Sequence, residues 1–131
     1  MKHLIKILLL TFIYIFSCQE DHAQPHEIEN RKWILEQIKE NETGKIKMVD
    51  EYHFLELKDG RLHFLIDCNR CSMPYHFVGG DSISIGGLMN CTRRNCIEKD
   101  SIKIDYSGKH KIWLQDGYLV FRTMDREYTY K

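Results

Sequence analysis

Phe54-Leu55-Glu56-Leu57-Lys58-Asp59-Gly60-Arg61-Leu62-His63-Phe64-Leu65-Ile66 is the stretch that decides the fold. An apolar run ends at Lys58, a polar turn follows, and Leu62, Phe64 and Ile66 then alternate with His63, Leu65 and Asp67. Asp-Gly between two such runs is a strong hairpin signal, because both residues tolerate the positive φ of a tight two-residue turn. Period-two alternation sets one strand face against a core and the other in water.

The same pattern continues outward. Upstream, Glu51-Tyr52-His53 prolongs the first run, and Lys32-Trp33-Ile34-Leu35 opens the region with a large apolar group. Glu36 to Thr43 is polar apart from Ile38, and Thr43-Gly44 marks a break. Downstream, Tyr75 to Val78 reads as a short strand, Gly79-Gly80-Asp81 as a turn, and Ser82 to Ile85 as a clean alternation ended by Gly86-Gly87. Ile102 to Tyr106 alternates again. Lys111 to Leu114, a Gln115-Asp116-Gly117 turn and Tyr118 to Phe121 form a second hairpin, and Glu127 to Tyr130 reads as a closing edge strand. Only Arg94 to Asp100 invites a short helical turn. Short strands separated by glycine turns predict a mainly β (α+β) domain: a small antiparallel sheet or partly closed barrel with one short helical turn.

The N-terminus carries a different signal. Met1 to Lys6 holds two lysines and no acid, and Ile7 to Phe16 is apolar apart from Thr11 and Tyr14. A charged segment followed by an apolar run of about ten residues has the form of a signal peptide. It is shorter than the roughly twenty residues of a membrane span. Ile15-Phe16-Ser17-Cys18 closes it and resembles the lipobox of bacterial lipoproteins, with a small residue directly before the cysteine. That resemblance implies acylation of Cys18 by palmitate-type chains and attachment to the membrane through that lipid, each buried methylene contributing about 0.8 kcal/mol. Three parts follow: a signal peptide over 1–17, a polar tether over 18–30, and a folded domain over 31–131. The tether has too few apolar residues to build a core. Gln19-Glu20-Asp21 resembles the short acidic signal that sends some Bacteroidetes lipoproteins to the outer face of the outer membrane. The expected location is therefore the bacterial cell envelope, at the outer membrane, with surface exposure.

Charge and cysteine usage narrow the function. The chain has 19 basic and 19 acidic residues; cleavage after Ser17 removes Lys2 and Lys6 and no acid, leaving a charge of −2. Arg93-Arg94 is a lone pair with Glu98 and Asp100 close behind, so nucleic acid is not an expected partner, since phosphate binding needs clustered Lys and Arg. Five cysteines are present: Cys18, Cys68, Cys71, Cys91 and Cys96. Setting Cys18 aside leaves an even number, which in an exported chain of this size reads as two disulfides. Four cysteines allow three connectivities.

Several of these residues occur in an order that resembles the META domain family of HslJ-like envelope proteins. They are Trp33-Ile34-Leu35, the Asp59-Gly60-Arg61-Leu62 turn, Cys68-Asn69-Arg70, Tyr75 before a glycine turn, Ile83-Ser84-Ile85-Gly86, and Thr92-Arg93-Arg94-Asn95-Cys96. The resemblance covers roughly Arg31 to Phe121. It implies an antiparallel β domain with a small helix and a non-enzymatic envelope role, linked in some members to stress or antibiotic tolerance. Cys68 and Cys96 hold the family-like positions. Cys71 and Cys91 are additional and lie inside them, which implies nested bridges, Cys68–Cys96 and Cys71–Cys91. Ile97 to Asp100 leaves room for one turn where the family carries a longer helical segment, so the C-terminal half is expected to be rearranged.

Sharper chemistries find less support. Cys68-Asn69-Arg70-Cys71 is a CxxC, but it follows a β pattern and lacks the helix N-terminus that activates a redox thiol. Cys68 and Cys71 with Cys91 and Cys96 have the spacing of a four-thiolate zinc module, which an oxidising compartment disfavours. Ser72 rather than His follows Cys71, so the c-type haem motif is not present. His53, His63, His76 and His110 form no HExxH, and no Gly-x-Ser-x-Gly occurs. No catalytic residue and no cofactor are therefore expected. His53 and His63 are positioned to face each other across the Asp59-Gly60 hairpin as a polar pair. The alternative function is a lipocalin-like barrel that holds a small apolar molecule among Trp33, Tyr52, Phe54, Phe64 and Trp113.

Overall fold

The computed structural model describes residues 25–97 and 102–131. One helical turn, α1 (Pro25–Ile28), precedes the strands β1 (Lys32–Glu40), β2 (Ile46–Met48), β3 (Phe54–Lys58), β4 (Arg61–Ile66) and β5 (Asn69–Gly79). There follow β6 (Ser82–Ile85), β7 (Asn90–Cys91), β8 (Gly108–Gln115), β9 (Tyr118–Arg122) and β10 (Arg126–Tyr130). Eight of them form a closed antiparallel barrel in the order β1-β3-β4-β5-β6-β8-β9-β10, with β10 returning to β1. β2 adds to the free half of β1, and β7 pairs with β5. The barrel is thus fully closed, and closure removes the unpaired edges that an open sheet would expose.

Both Asp-Gly turns take the conformation their residues favour. Asp59 and Gly60 have φ of 52° and 72°, and Asp116 and Gly117 have 52° and 81°. Two successive positive φ values define the type I′ turn, whose twist matches that of the flanking strands. The first turn sets Leu57 opposite Leu62 and Leu55 opposite Phe64. The second sets Leu114 opposite Leu119 and Ile112 opposite Phe121.

β1 carries the irregularity that lets it serve both sides. Leu35 faces Tyr130, but Gln37 faces Thr129, so Glu36 is an extra residue in the strand. Such a bulge flips the alternation. Trp33 and Leu35 are buried before it and Ile38 after it, which is why the polar stretch after Leu35 hides a continuing strand.

The barrel interior is filled. Leu55, Leu57, Leu62, Phe64, Ile83, Ile85, Ile112, Leu119, Phe121, Tyr128 and Tyr130 project into one core with Trp33 and Leu35. In an eight-stranded barrel the interior is just wide enough for side chains to fill. Ile102 to Tyr106 was expected as a strand; it belongs to no ladder. Its alternation serves packing instead: Ile102 and Ile104 lean on the core, and Tyr106 is buried within it, 4.7 Å from the Phe64 ring and 5.4 Å from Phe121. Period two reports one buried face, and a plug segment has one as surely as a strand. Glu127 to Tyr130, expected at an edge, lies in β10 with β9 on one side and β1 on the other.

Among the described residues, the helical turn is α1, ahead of β1. Arg94 to Ile97 is irregular, and Glu98 to Asp100 lie outside the described residues. The Cys68–Cys96 bridge and the Asn69 side chain hold Arg94 to Cys96 in that irregular path. The packed region also begins before Arg31. Ile28 is buried, its carbonyl accepts a 2.9 Å hydrogen bond from Trp33 Nε1, and the Asn30 amide donates to the Leu57 carbonyl. Arg31 stacks its guanidinium 4.0 Å over the Trp33 ring. The Tyr75 hydroxyl donates to the Glu29 carboxylate, and burial together with that carboxylate pushes the phenol pKa well up. This corner fixes where the chain enters the barrel.

Candidate functional site

The four cysteines of the described region form two nested bridges, Cys68–Cys96 and Cys71–Cys91. Register creates the inner one. Cys71 and Cys91 face each other directly across β5 and β7, with Cα atoms 4.1 Å apart, and Cys71 also faces Phe64 of β4. The outer bridge joins the β4–β5 turn to the chain after β7, at a Cα separation of 5.6 Å. Asn69 organises the loop between them. Its carboxamide oxygen accepts from the Arg94 amide at 2.8 Å and from the Thr92 hydroxyl at 3.2 Å, while Thr92 and Arg70 exchange further bonds. Arg61 ties down the preceding loop, donating to the Ser72 hydroxyl and carbonyl and to the Leu88 carbonyl. Asn69, Thr92 and Arg61 are thus spent on holding these loops.

This geometry bears on the competing chemistries. The CxxC lies in a turn and a strand, with each cysteine bonded to a different partner outside the motif. A thioredoxin-like centre needs its two cysteines to bond each other. A four-thiolate zinc module would have to replace both bridges. Among the described residues, no group of three or more His, Cys, Asp or Glu side chains is placed to hold a metal ion.

The histidines do not converge. Glu56, not His53, faces His63 across the hairpin. His53 precedes β3, is 6% exposed, and has Nε2 3.6 Å from the Glu51 carboxylate. The Asp59-Gly60 turn sets the register so that the partner of His63 is Glu56, three positions along the chain from His53. His110 points its ring at Phe121, 4.9 Å away, with Nε2 2.8 Å from the Ser107 carbonyl.

The five aromatics proposed to surround an apolar ligand are also dispersed. Trp33 and Phe64 are core residues inside the barrel. Tyr52 is 59% exposed, and its ring lies 6.0 Å from Phe54, which Lys32 covers from outside. Trp113 stands on the outer wall beside Val120, beneath the Arg122 guanidinium at 5.0 Å. Sequence alternation gave each strand an inward face, but only the closed topology tells which aromatic is on it.

The surface of the described residues includes two open depressions. One, of about 300 Å³, lies on the outer wall among Ser82, Lys109, Lys111, Arg122 and Met124. The other, of about 400 Å³, opens where the ends of β1 and β10 meet the β1–β2 hairpin and the plug segment. Sequence reading did not single out the second, because its residues are scattered from Ile38 to Arg126 and each alone is an ordinary surface charge.

No protein-family model, no curated protein and no solved structure matches the chain. What defines it is the architecture: a closed eight-stranded antiparallel barrel with a filled interior, capped by one helical turn and stapled by two disulfides. Among the described residues, no helix is long and apolar enough to cross a membrane. Cys18 and the rest of residues 1–24 lie outside the described residues.

Proposed function

We propose that the protein is a lipid-anchored component of the bacterial cell envelope, non-enzymatic, whose disulfide-stapled META-like barrel serves as a binding or stress-protective module. The pair of nested bridges is the observation that carries this reading. Disulfides form and persist in oxidising compartments, and a domain of this size gains much of its stability from them. Cys18 then has a separate role. It stands apart from the paired cysteines, directly after an apolar run of signal-peptide form. Cys18 precedes Pro25, the first described residue, by seven positions, so a short tether would join the lipid to the barrel.

The non-enzymatic reading is supported by how these polar side chains are used: Asn69, Arg61 and Thr92 hold loops, His53 lies beside Glu51, and His110 contacts Phe121 and the Ser107 carbonyl. Metabolic labelling with an alkyne analogue of palmitate tests the reading. The full chain should incorporate the label and sediment with membranes, and Cys18→Ala should lose both. Equal labelling of the Cys18→Ala chain, or none in either, would rule out the anchor.

A further inference from the structure

We propose that the 400 Å³ mouth between β1, β2 and β10 binds a small organic carboxylate, its head on a cationic rim and its apolar portion against two isoleucines. The register builds this mouth. Ile38 faces Lys47 across β1 and β2, and Glu40 faces Arg126 across β1 and β10. Lys45 and Lys103 complete the rim, and Ile102 joins Ile38 at its base. Among the described residues that line it, four cationic side chains thus meet one carboxylate, Glu40, whose Oε2 accepts a 2.7 Å bond from the Thr43 hydroxyl.

Charge balance separates this mouth from the depression on the outer wall. There, Lys111 pairs with Asp81 at 2.6 Å and Arg122 with Glu127, so both charges are met within the protein. At the mouth, no carboxylate among the described residues forms an ion pair with Lys45, Lys47 or Lys103. Arg126 has only a long contact to the exposed Asp125, at 3.7 Å. Among the described residues, an anion is the group that would balance this rim. The isoleucines select for an organic anion over an inorganic one, since a bare oxyanion gains nothing from an apolar base.

The rim is also held in place. Asn41 Nδ2 donates to the Thr123 and Met124 carbonyls at 3.2 and 3.1 Å, and the Asn41 amide donates to the Asp125 carbonyl. These bonds latch the β1–β2 loop to the β9–β10 loop. The Glu40 amide and Lys45 carbonyl close the hairpin at 2.9 Å. The volume falls within the range of small-molecule sites, roughly 300 to 1,000 Å³.

The experiment titrates the full chain, held in non-ionic detergent, with sodium hexanoate, and follows backbone amide shifts by NMR. Sodium sulfate and hexyltrimethylammonium chloride are titrated in parallel. Saturable hexanoate shifts centred on Lys45, Lys47 and Arg126 are expected, weakening as salt is raised. Lys45→Gln/Lys47→Gln/Lys103→Gln should weaken hexanoate by about tenfold or more, and Lys109→Gln/Lys111→Gln on the outer wall should not change it. All five positions are solvent-facing or half-exposed, so the folded spectrum should persist and report on each variant. The proposal is overturned if hexanoate shifts do not saturate. It is equally overturned if the quaternary amine matches hexanoate, if sulfate does, or if the outer-wall variant loses binding as much as the rim variant. The test does not depend on membrane attachment, so its failure would leave the lipid anchor standing.

Discussion

Removing the two bridges one at a time should cost unequal amounts, and the inner one should cost more. Cys71 and Cys91 are 20 residues apart and Cys68 and Cys96 are 28 apart. Chain entropy makes such loops worth about 3.3 and 3.6 kcal/mol when each is closed alone. Once either is closed, the other only completes the short ring formed by residues 68–71 and 91–96. A ring of about eight residues is worth about 2.5 kcal/mol or slightly less. Entropy alone therefore predicts near-equal losses of about 2 to 2.5 kcal/mol for Cys68→Ala/Cys96→Ala and Cys71→Ala/Cys91→Ala. Packing breaks the tie. Cys71 is 2% exposed, against Phe64, whereas Cys68, Cys91 and Cys96 lie outside the core. Losing a buried atom of that size adds about 1 kcal/mol. Thermal unfolding of the full chain, read by near-ultraviolet circular dichroism, resolves such a gap, which corresponds to about 4 to 8 °C in Tm for a domain of this size. Removing both bridges takes away about 6 kcal/mol, comparable with the entire stability of many domains, and should leave the chain unfolded or nearly so. A Cys68→Ala/Cys96→Ala chain that melts at or below the Cys71→Ala/Cys91→Ala chain would refute the reasoning.

Other parts of the barrel give independent checks. The Tyr106 and Tyr130 hydroxyls are buried 2.9 Å apart. Tyr106→Phe should cost about 1 to 3 kcal/mol by leaving Tyr130 unpaired, and the double Phe variant should cost less than the two singles added, as a denaturant-based double-mutant cycle would reveal. Burial raises the pKa of both phenols above the ordinary value of 10.0, with Tyr75 and Tyr128 raised as well. The unfolded chain thus releases these protons first, so stability should hold through neutral pH and fall as pH rises beyond about 10, a trend that urea midpoints across an alkaline series would track. Trp33→Phe removes the bond to the Ile28 carbonyl and should lower stability by about 1 to 3 kcal/mol while loosening α1, visible as faster proteolysis near Ile28. Gly60→Ala meets no atom within 4 Å but forces a side chain onto φ +72°, so a loss of about 1 kcal/mol in the urea midpoint is expected from strain alone.

Much of the fold is legible because local chemistry and tertiary structure agree at the turns. Asp59-Gly60 and Asp116-Gly117 specify their hairpins outright, and the alternation in Ser82 to Ile85 names its buried face correctly. Other elements escape for definite reasons. Glu36 is an extra residue in β1, so the periodicity breaks although the strand does not. Ile102 to Tyr106 has a strand's alternation and a plug's location, which no local pattern separates. Whether a β domain closes fully depends on β10 meeting β1 across nearly the whole chain. The candidate sites divide the same way. Nesting of the bridges follows from the order of the cysteines together with the family resemblance, whereas the cationic mouth exists only because closure brings Lys45, Lys47, Lys103 and Arg126 around one opening.

The central claim is a lipid-anchored, disulfide-stapled barrel, and one measurement tests it most directly: non-reducing peptide mass mapping of the full protein purified from bacterial envelopes, with a metal assay on the same sample. The account predicts an acylated N-terminal peptide beginning at Cys18, linked peptides Cys68–Cys96 and Cys71–Cys91, and no zinc. Four free thiolates with one zinc per chain, or an intact unacylated N-terminus, would contradict it.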